Sequence, residues 1–178
     1  MACVSSITFV YANSSNDEVL YRLQEYGLTK YTKRSDFRPD DFITRWEAAK
    51  FVTQYADAAW IEKQLWANCT FTDINNYDSS LRPFISQACQ FELLRWFKNK
   101  FMPYDYITQA QALAIVIRSI NGYQDETTTP RYHNYYILWQ QIGLITNETQ
   151  KLLDTTNITR EELAKWLYIA FYQNNTDD

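Results

Sequence analysis

The sequence predicts an all-α domain built from three copies of one helix–loop–helix unit. The first observation is a repeated start, an Ile-Thr pair with Glu or Gln three residues after the Thr, at residues 43–47, 107–111 and 158–162. The second is an apolar stripe of helical period, whose members lie five, eight, nine and thirteen residues after each Ile. Self-similarity of this kind is typical of repeat architectures. With 46% apolar and 21% charged residues, a chain of 178 residues can bury a core.

Residues 1–15 come before the first unit. A short apolar stretch ends in Val10-x-Ala12, and polar residues follow it. A small-residue pattern of this kind is typical of the end of a secretory signal, although no Lys or Arg precedes it. The segment is therefore either a signal remnant or an N-terminal arm, and the sequence leaves both interpretations open.

The longer helix of each unit begins at a capping box. In this motif a Thr hydroxyl accepts an N–H of the first turn, while the side chain three residues later accepts the N–H of the Thr. The three pairs are Thr44 with Glu47, Thr108 with Gln111 and Thr159 with Glu162. Losing one such cap costs about 1 kcal/mol.

A shorter helix precedes each capped helix. Its apolar face is predicted to contain Val19, Leu20, Leu23 and Tyr26, then Phe84, Ile85, Ala88 and Leu93, then Tyr135, Tyr136, Trp139 and Ile142. Gly27 and Gly143 end the first and third of these helices, because glycine readily adopts the left-handed conformation that follows a helix. Glu92 holds the corresponding place in the middle unit. The connector also repeats, with Phe-x-Pro-x-Asp at residues 37–41 and 101–105.

These elements predict units near residues 16–57, 71–121 and 130–173. Residues 57–70, which include Trp60, Ile61, Leu65 and Trp66, are predicted to form an extra short helix, and residues 125–130 a polar join. A pair of helices cannot bury its apolar face alone. We therefore predict a single domain over residues 16–178 in which the three units share one core.

The repeated segments resemble those of a known family. Phe37-x-Pro39-x-x-x-Ile43-Thr-Arg-x-Glu47 is similar to the hallmark segment of S-layer homology (SLH) domains, and partial copies begin at Phe101 and Ile158. Phe71-Thr-Asp73-Ile74 resembles the opening of an SLH repeat. The resemblance implies a pseudo-three-fold helical bundle whose grooves between repeats bind secondary cell-wall polysaccharide without covalent attachment. In the family this polysaccharide often carries an acidic pyruvyl ketal.

The resemblance also implies which residues contact the polysaccharide. The family's recurrent anion contact falls on Arg45 and Arg160, while the middle unit has Gln109 at that place and is therefore expected to lack a competent acid site. Asp73 belongs to the opening element. A physical argument agrees for the arginines, because the N–H groups and dipole of a helix start favour an anion there and a guanidinium can hold a carboxylate with two bonds.

An alternative interpretation gives the two arginines no ligand. They would be solvated surface charges, or would pair with Glu47, Glu161 or Glu162. Among the 6 Trp, 14 Tyr and 10 Phe, most fall on the apolar stripes and are predicted to be core residues. Trp46, next to Arg45, is the best candidate for stacking on a sugar. The interpretation of Tyr132, Tyr135 and Tyr136 stays open between core and sugar contact.

The composition excludes several classes of function. A net charge of −4 argues against a broad nucleic-acid surface, and no apolar run approaches the length of a membrane span. With 3 Gly and 1 His, the chain has neither a phosphate-binding loop nor a site of several histidines. No pattern of catalytic residues is present. We therefore expect a non-catalytic protein that uses no cofactor and no metal.

The cysteines suggest an oxidising compartment. Cys69 and Cys89 bracket the first helix of the middle unit, and an exported protein would join them in a disulfide that contributes about 3 kcal/mol. The alternative is a pair of buried thiols.

Two functional hypotheses follow. The first is a secreted module at the cell surface or envelope of a bacterium, which binds an acidic wall polysaccharide. The second is a structural subunit of a surface layer or filament, which contacts neighbouring protein subunits. The second hypothesis rests on Gln109 and on the high aromatic content, since aromatic residues are enriched at interfaces.

Overall fold

The computed structural model describes residues 16–25, 27–64, 68–74, 80, 82–95, 98–127, 131–141 and 155–174. Within these ranges the chain has seven helices and no strand, so the predicted all-α class is confirmed. The helices are α1 (Asn16–Glu25), α2 (Arg34–Phe37), α3 (Arg45–Ala58), α4 (Arg82–Gln90), α5 (Gln109–Asn121), α6 (His133–Gln141) and α7 (Arg160–Asn174). None of the helices in these ranges is long and apolar enough to cross a membrane. Residues 1–15, Tyr26, Gly143 and Ile142 lie outside the described residues.

The three long helices, α3, α5 and α7, form the centre of the domain. Helix α3 packs against α4 and α7, and α5 packs against α6 and α7. The apolar stripes of the capped helices face inward, and Tyr135, Tyr136 and Trp139 of α6 are also buried, which makes both tyrosines core residues. Among the described residues, the largest fully buried side chains are Trp139, Tyr55, Tyr135, Phe101, Leu23 and Leu28. One core thus joins residues from all three predicted units.

The long helices begin at the predicted threonines. At α5 the N–H of Gln111 donates to Thr108 Oγ1 at 3.3 Å, and the Thr108 N–H donates to Gln111 Oε1 at 3.2 Å. At α7 the corresponding distances between Thr159 and Glu162 are 3.2 and 2.9 Å. Helix α3 has the same capping box between Thr44 and Glu47.

A closed ring of backbone hydrogen bonds joins the three helix starts. Ile43 donates to the carbonyl of Ile158 at 3.2 Å, Ile158 donates to Ile107 at 3.0 Å, and Ile107 donates to Ile43 at 3.2 Å. All three isoleucines are completely buried. Each Ile therefore donates to one unit and accepts from the other, which fixes the three long helices relative to one another.

The same junction occupies the first N–H groups of the helices. The N–H of Arg45 donates to Asp105 O at 2.8 Å, that of Gln109 to Thr156 O at 2.8 Å, and that of Arg160 to Asp41 O at 2.9 Å. The expectation that these N–H groups would be available to an anion is therefore wrong, because carbonyls of a neighbouring unit already accept them. Any anion contact at these helix starts must come from side chains.

The predicted helix over residues 57–70 is wrong for the residues described there. Residues 59–64 and 68–70 are not helical, while 65–67 lie outside the described residues. Helix α3 ends because Trp60 takes a left-handed conformation (φ 56°) and Ile61 donates back to Ala56 O at 3.0 Å. Gly27 (φ 70°) ends α1 in the same way, and Glu92 (φ 56°) has this conformation at the corresponding place after α4.

The predicted disulfide is confirmed. Cys69 Sγ and Cys89 Sγ are 2.00 Å apart, with a separation of 5.8 Å between the Cα atoms. The bond ties the C-terminal part of α4 to the segment that precedes Phe71. It closes a loop of 20 residues.

Candidate functional site

Arg45 and Arg160 are both buried, with 5% of each residue exposed. The interpretation of these arginines as solvated surface charges is therefore wrong. A buried guanidinium keeps its charge, so it must be matched by acceptors or by a counter-charge. The two residues meet this requirement in different ways.

Arg160 pairs with an acidic residue of the first unit. Its Nη2 lies 2.5 Å from Glu47 Oε1, and this oxygen also accepts from Arg38 Nη2 at 3.0 Å. Burial disfavours the Glu47 carboxylate, but the Thr44 N–H and Arg160 outweigh that effect and hold the pKa of Glu47 below its usual value. The Nε atom of Arg160 is buried and finds no acceptor among the described residues. One donor of this guanidinium is thus left for another partner.

A cavity of about 130 Å³ adjoins Arg160, and we call it the Arg160 cavity. Four of its lining residues are cationic, namely Lys30, Arg38, Lys50 and Arg160. Glu47 is the carboxylate that lines it. Its aromatic lining residues are Tyr31, Trp46 and Phe51. A surplus of cations beside flat apolar rings suits an anion carried on a small organic ring.

Trp46 does not share a cavity with Arg45, although the two are adjacent in sequence. Trp46 lines the Arg160 cavity, while Arg45 lines a different cavity. The reason is helical geometry, since successive residues point about 100° apart. Trp46 is half-buried, so part of its ring stays open to the cavity.

Arg45 reaches the loop before α5. Its Nε donates to Phe101 O at 2.6 Å and its Nη2 to Arg95 O at 2.5 Å, and the guanidinium carbon lies 5.0 Å from the centre of the Phe101 ring. Burial lowers the pKa of Arg45 from its usual value, and the nearby Tyr132, Asp105 and Asp73 oppose that shift. Backbone carbonyls therefore hold this guanidinium in place.

A smaller cavity of about 80 Å³ lies beside Arg45, and we call it the Arg45 cavity. Its cationic lining residues are Arg45, Arg95, Arg118 and Arg131, and half-buried Tyr132 also lines it. Two of these arginines already share the carboxylate of Glu126. Glu126 bonds to Arg118, and its Oε2 accepts from Arg131 Nε and Nη2 at 2.9 and 2.7 Å.

The charge of Glu126 is stabilised by those arginines. Burial disfavours its carboxylate, but Arg131 and Arg118 outweigh that effect and lower the pKa of Glu126. Arg118 also donates to Tyr135 Oη at 3.0 Å and to Leu93 O at 2.9 Å. The Arg45 cavity thus has more of its donors satisfied by the protein than the Arg160 cavity has.

The two cavities use corresponding positions of the first and second predicted units. Ile43 and Ile107 are 64 residues apart, and the same offset relates seven pairs of residues that line the two cavities. These pairs are Lys30 with Leu94, Tyr31 with Arg95, Arg38 with Met102, Glu47 with Gln111, Lys50 with Ala114, Phe51 with Ile115, and Gln54 with Arg118. In each cavity the arginine after the capping Thr comes from a different unit than these residues. The Arg160 cavity is therefore a junction between the first and third predicted units, while residues of all three predicted units line the Arg45 cavity.

The remaining predicted residues have other environments. The two carboxylate oxygens of Asp73 accept the N–H groups of Phe101 and Met102 at 2.9 and 2.7 Å, which fixes the connector of the middle unit. Gln109 is half-buried at the start of α5. Residues 142–154, which belong to the third predicted unit, lie outside the described residues. The proposed ligand contacts of Asp73 and Gln109 stay predictions.

Most of the cations that line the cavities were not predicted as site residues from the sequence. Lys50 and Gln54 follow Glu47 by three and seven residues, so a polar stripe of helical period on α3 could have indicated Lys50. Lys30 lies in the loop after α1, where no periodic pattern indicates it. Glu126 lies in a segment that composition alone marks as an exposed polar join.

No protein-family model matches the chain, and no curated protein matches it at a significant level.

Proposed function

We propose that the chain is a non-catalytic, SLH-like module of three packed repeats that binds an acidic polysaccharide of the cell envelope at the junctions between units. In this proposal the Arg160 cavity is the principal site and the Arg45 cavity a weaker one. The protein acts outside the cell, which is also where a disulfide is stable.

The ring of hydrogen bonds between Ile43, Ile107 and Ile158 supports the three-repeat arrangement. A cyclic pattern in which each unit donates to one neighbour and accepts from the other is what a pseudo-three-fold axis through the helix starts requires. The left-handed conformation of both Arg38 and Met102, 64 residues apart, is a second correspondence.

The distribution of charge supports an anionic ligand. The chain has a net charge of −4, yet the two cavities are lined by eight of its 17 Lys and Arg residues. Clustered cations raise the local concentration of an anion and offer charge-assisted hydrogen bonds to it. The aromatic rings in the Arg160 cavity favour an anion attached to a sugar over a small inorganic ion.

The unpaired Nε of Arg160 is the observation that carries the proposal. A buried donor without an acceptor costs about 1–3 kcal/mol, and a carboxylate in the cavity would recover that cost once the guanidinium turns its enclosed Nε–H toward it. The adjacent Lys30 and Lys50 would share the negative charge.

Retention on isolated cell-wall polysaccharide tests the proposal. The double variant Lys30→Ala/Lys50→Ala removes two cavity cations without touching the ion pair between Arg160 and Glu47. The matched control, Lys33→Ala/Lys100→Ala, removes two exposed lysines that line neither cavity. We expect the native and control proteins to be retained and the cavity variant to lose at least tenfold in affinity. Equal retention of all three proteins would contradict the proposal.

A further inference from the structure

A second opening adjoins the Arg160 cavity and differs from it in chemistry. It has a volume of about 600 Å³, and Phe42 and Tyr106 stand at its edge, about half exposed. Their ring centres are 5.9 Å apart in an edge-to-face arrangement, and the bridge between Thr44 and Tyr106 joins the two backbone segments that carry them. We call this opening the aromatic shelf.

The aromatic shelf is continuous with the Arg160 cavity. Arg38, Trp46 and Glu47 line both of them. A ligand whose charged group lies near Arg160 can therefore extend past Trp46 onto Phe42 and Tyr106 without leaving the surface. A volume of this order suits one or two sugar rings.

The charged residues that line the shelf determine which kind of sugar can bind there. Asp40, Asp41 and Glu47 line it, and each has an arginine beside it: Arg34 lies 3.9 Å from Asp40, Arg38 lies 3.5 Å from Asp41, and Arg160 bonds to Glu47. These arginines already face carboxylates of the protein and are not left to hold a second anion on the shelf. Carboxylates accept hydrogen bonds from hydroxyl groups but repel another anion. Exposed aromatic rings offer flat apolar surface to the C–H face of a pyranose. The shelf therefore suits an uncharged sugar.

We propose that the aromatic shelf is a second subsite, which takes the neutral sugar next to the acidic residue held in the Arg160 cavity. This inference rests on the proposed function and names its ligand more closely. The preferred polymer alternates charged and uncharged sugars, and a uniformly acidic chain is excluded from the shelf by Asp40 and Asp41.

Calorimetric titration of the full chain with three probes tests the subsite. The probes are glucuronic acid, a disaccharide of glucuronic acid with N-acetylglucosamine, and digalacturonic acid. We expect the mixed disaccharide to bind about tenfold more tightly than glucuronic acid, as one well-stacked ring gives. Digalacturonic acid should bind no more tightly than glucuronic acid, and Asp40→Asn/Asp41→Asn should remove that discrimination.

The variant Phe42→Ala/Tyr106→Ala assigns the gain to the shelf. It should reduce the advantage of the mixed disaccharide to less than twofold and leave the affinity for glucuronic acid unchanged. Tyr21→Ala is the control, because this exposed tyrosine on α1 lies outside all three openings.

Several results would overturn the subsite. Equal affinities for glucuronic acid and the mixed disaccharide, or a gain that survives in Phe42→Ala/Tyr106→Ala, would reject it and leave the proposed function standing. Self-association of the native chain that this variant abolishes, with no gain for the disaccharide, would make the shelf a protein interface. If glucuronic acid itself fails to bind, the subsite and the proposed function fall together.

Discussion

Replacing Glu47 by Gln should separate two roles that this side chain combines. Glu47 Oε2 accepts the N–H and the hydroxyl of Thr44 at 3.1 and 2.9 Å, and Oε1 accepts from Arg160 and Arg38. A glutamine can keep the capping box, as Gln111 does in the middle unit. The variant Glu47→Gln therefore keeps the cap and loses the negative charge.

The magnitude follows from the burial of Arg160. Removing one partner of a buried ion pair costs about 3–5 kcal/mol, because the other charge stays buried without compensation. The one oxygen of a glutamine that keeps the cap cannot also accept from Arg160, and the amide NH2 group faces the guanidinium, so no hydrogen bond to Arg160 is recovered. We therefore expect the free energy of unfolding of Glu47→Gln to fall by about 3–5 kcal/mol at pH 7.

The loss should depend on pH in a defined direction. The pKa of Glu47 is lowered on folding because its bonds to Thr44 and Arg160 outweigh the burial that opposes ionisation. A lowered pKa stabilises the fold above the unfolded pKa, near 4.5, and that contribution is lost as the pH falls through the folded value. The difference between the native protein and Glu47→Gln should be complete at pH 7 and shrink below pH 4.5.

Urea unfolding followed by tryptophan fluorescence at pH 7 and at pH 3 measures both effects. Glu162→Gln is the control, because Glu162 makes the same capping bonds to Thr159 but pairs with no cation among the described residues. It should lose less than about 0.5 kcal/mol. Equal losses of stability in the two variants at pH 7 would refute this prediction. A loss in Glu47→Gln that is unchanged at pH 3 would refute it as well.

Three further predictions concern stability, and the same urea titrations check them. Cys69→Ala/Cys89→Ala should lower the free energy of unfolding by about 3 kcal/mol for a loop of 20 residues, and an unchanged value would contradict the disulfide. Glu92→Gly should raise it by about 1 kcal/mol, because glycine adopts φ 56° without strain, whereas a loss would place Glu92 in another conformation. Thr108→Ala should lower it by about 1 kcal/mol, and a neutral result would mean that the capping box of α5 does not contribute.

The helix starts could be predicted because their causes are local. A threonine with an acid or amide three residues later caps a helix wherever it occurs, and Thr108 with Gln111 does so. The left-handed conformation of Glu92 is a second example. The repeat spacing places it opposite Gly27, and both adopt the left-handed conformation although only one is a glycine.

The composition of the site could not be predicted because it depends on which units are neighbours. The sequence offers Glu47, Glu161 and Glu162 as partners of Arg160, but nothing in it selects Glu47, which lies 113 residues away in the first predicted unit. The carbonyls of Asp41 and Asp105 that occupy the first N–H groups of the helices come from the same junctions. Trp60 ends α3 in a left-handed conformation, although Trp has no intrinsic tendency to adopt it.

The Nε–H resonance of Arg160 tests the central claim most directly. It can be assigned in a ¹H–¹⁵N spectrum by its absence in Arg160→Lys, and followed while glucuronic acid is added to the native chain. We predict a saturable shift of the Arg160 signal that is lost in Lys30→Ala/Lys50→Ala, with no shift for the partly exposed Arg22 on α1. An Arg160 signal that stays in place, or one that moves only as much as that of Arg22, would contradict the account.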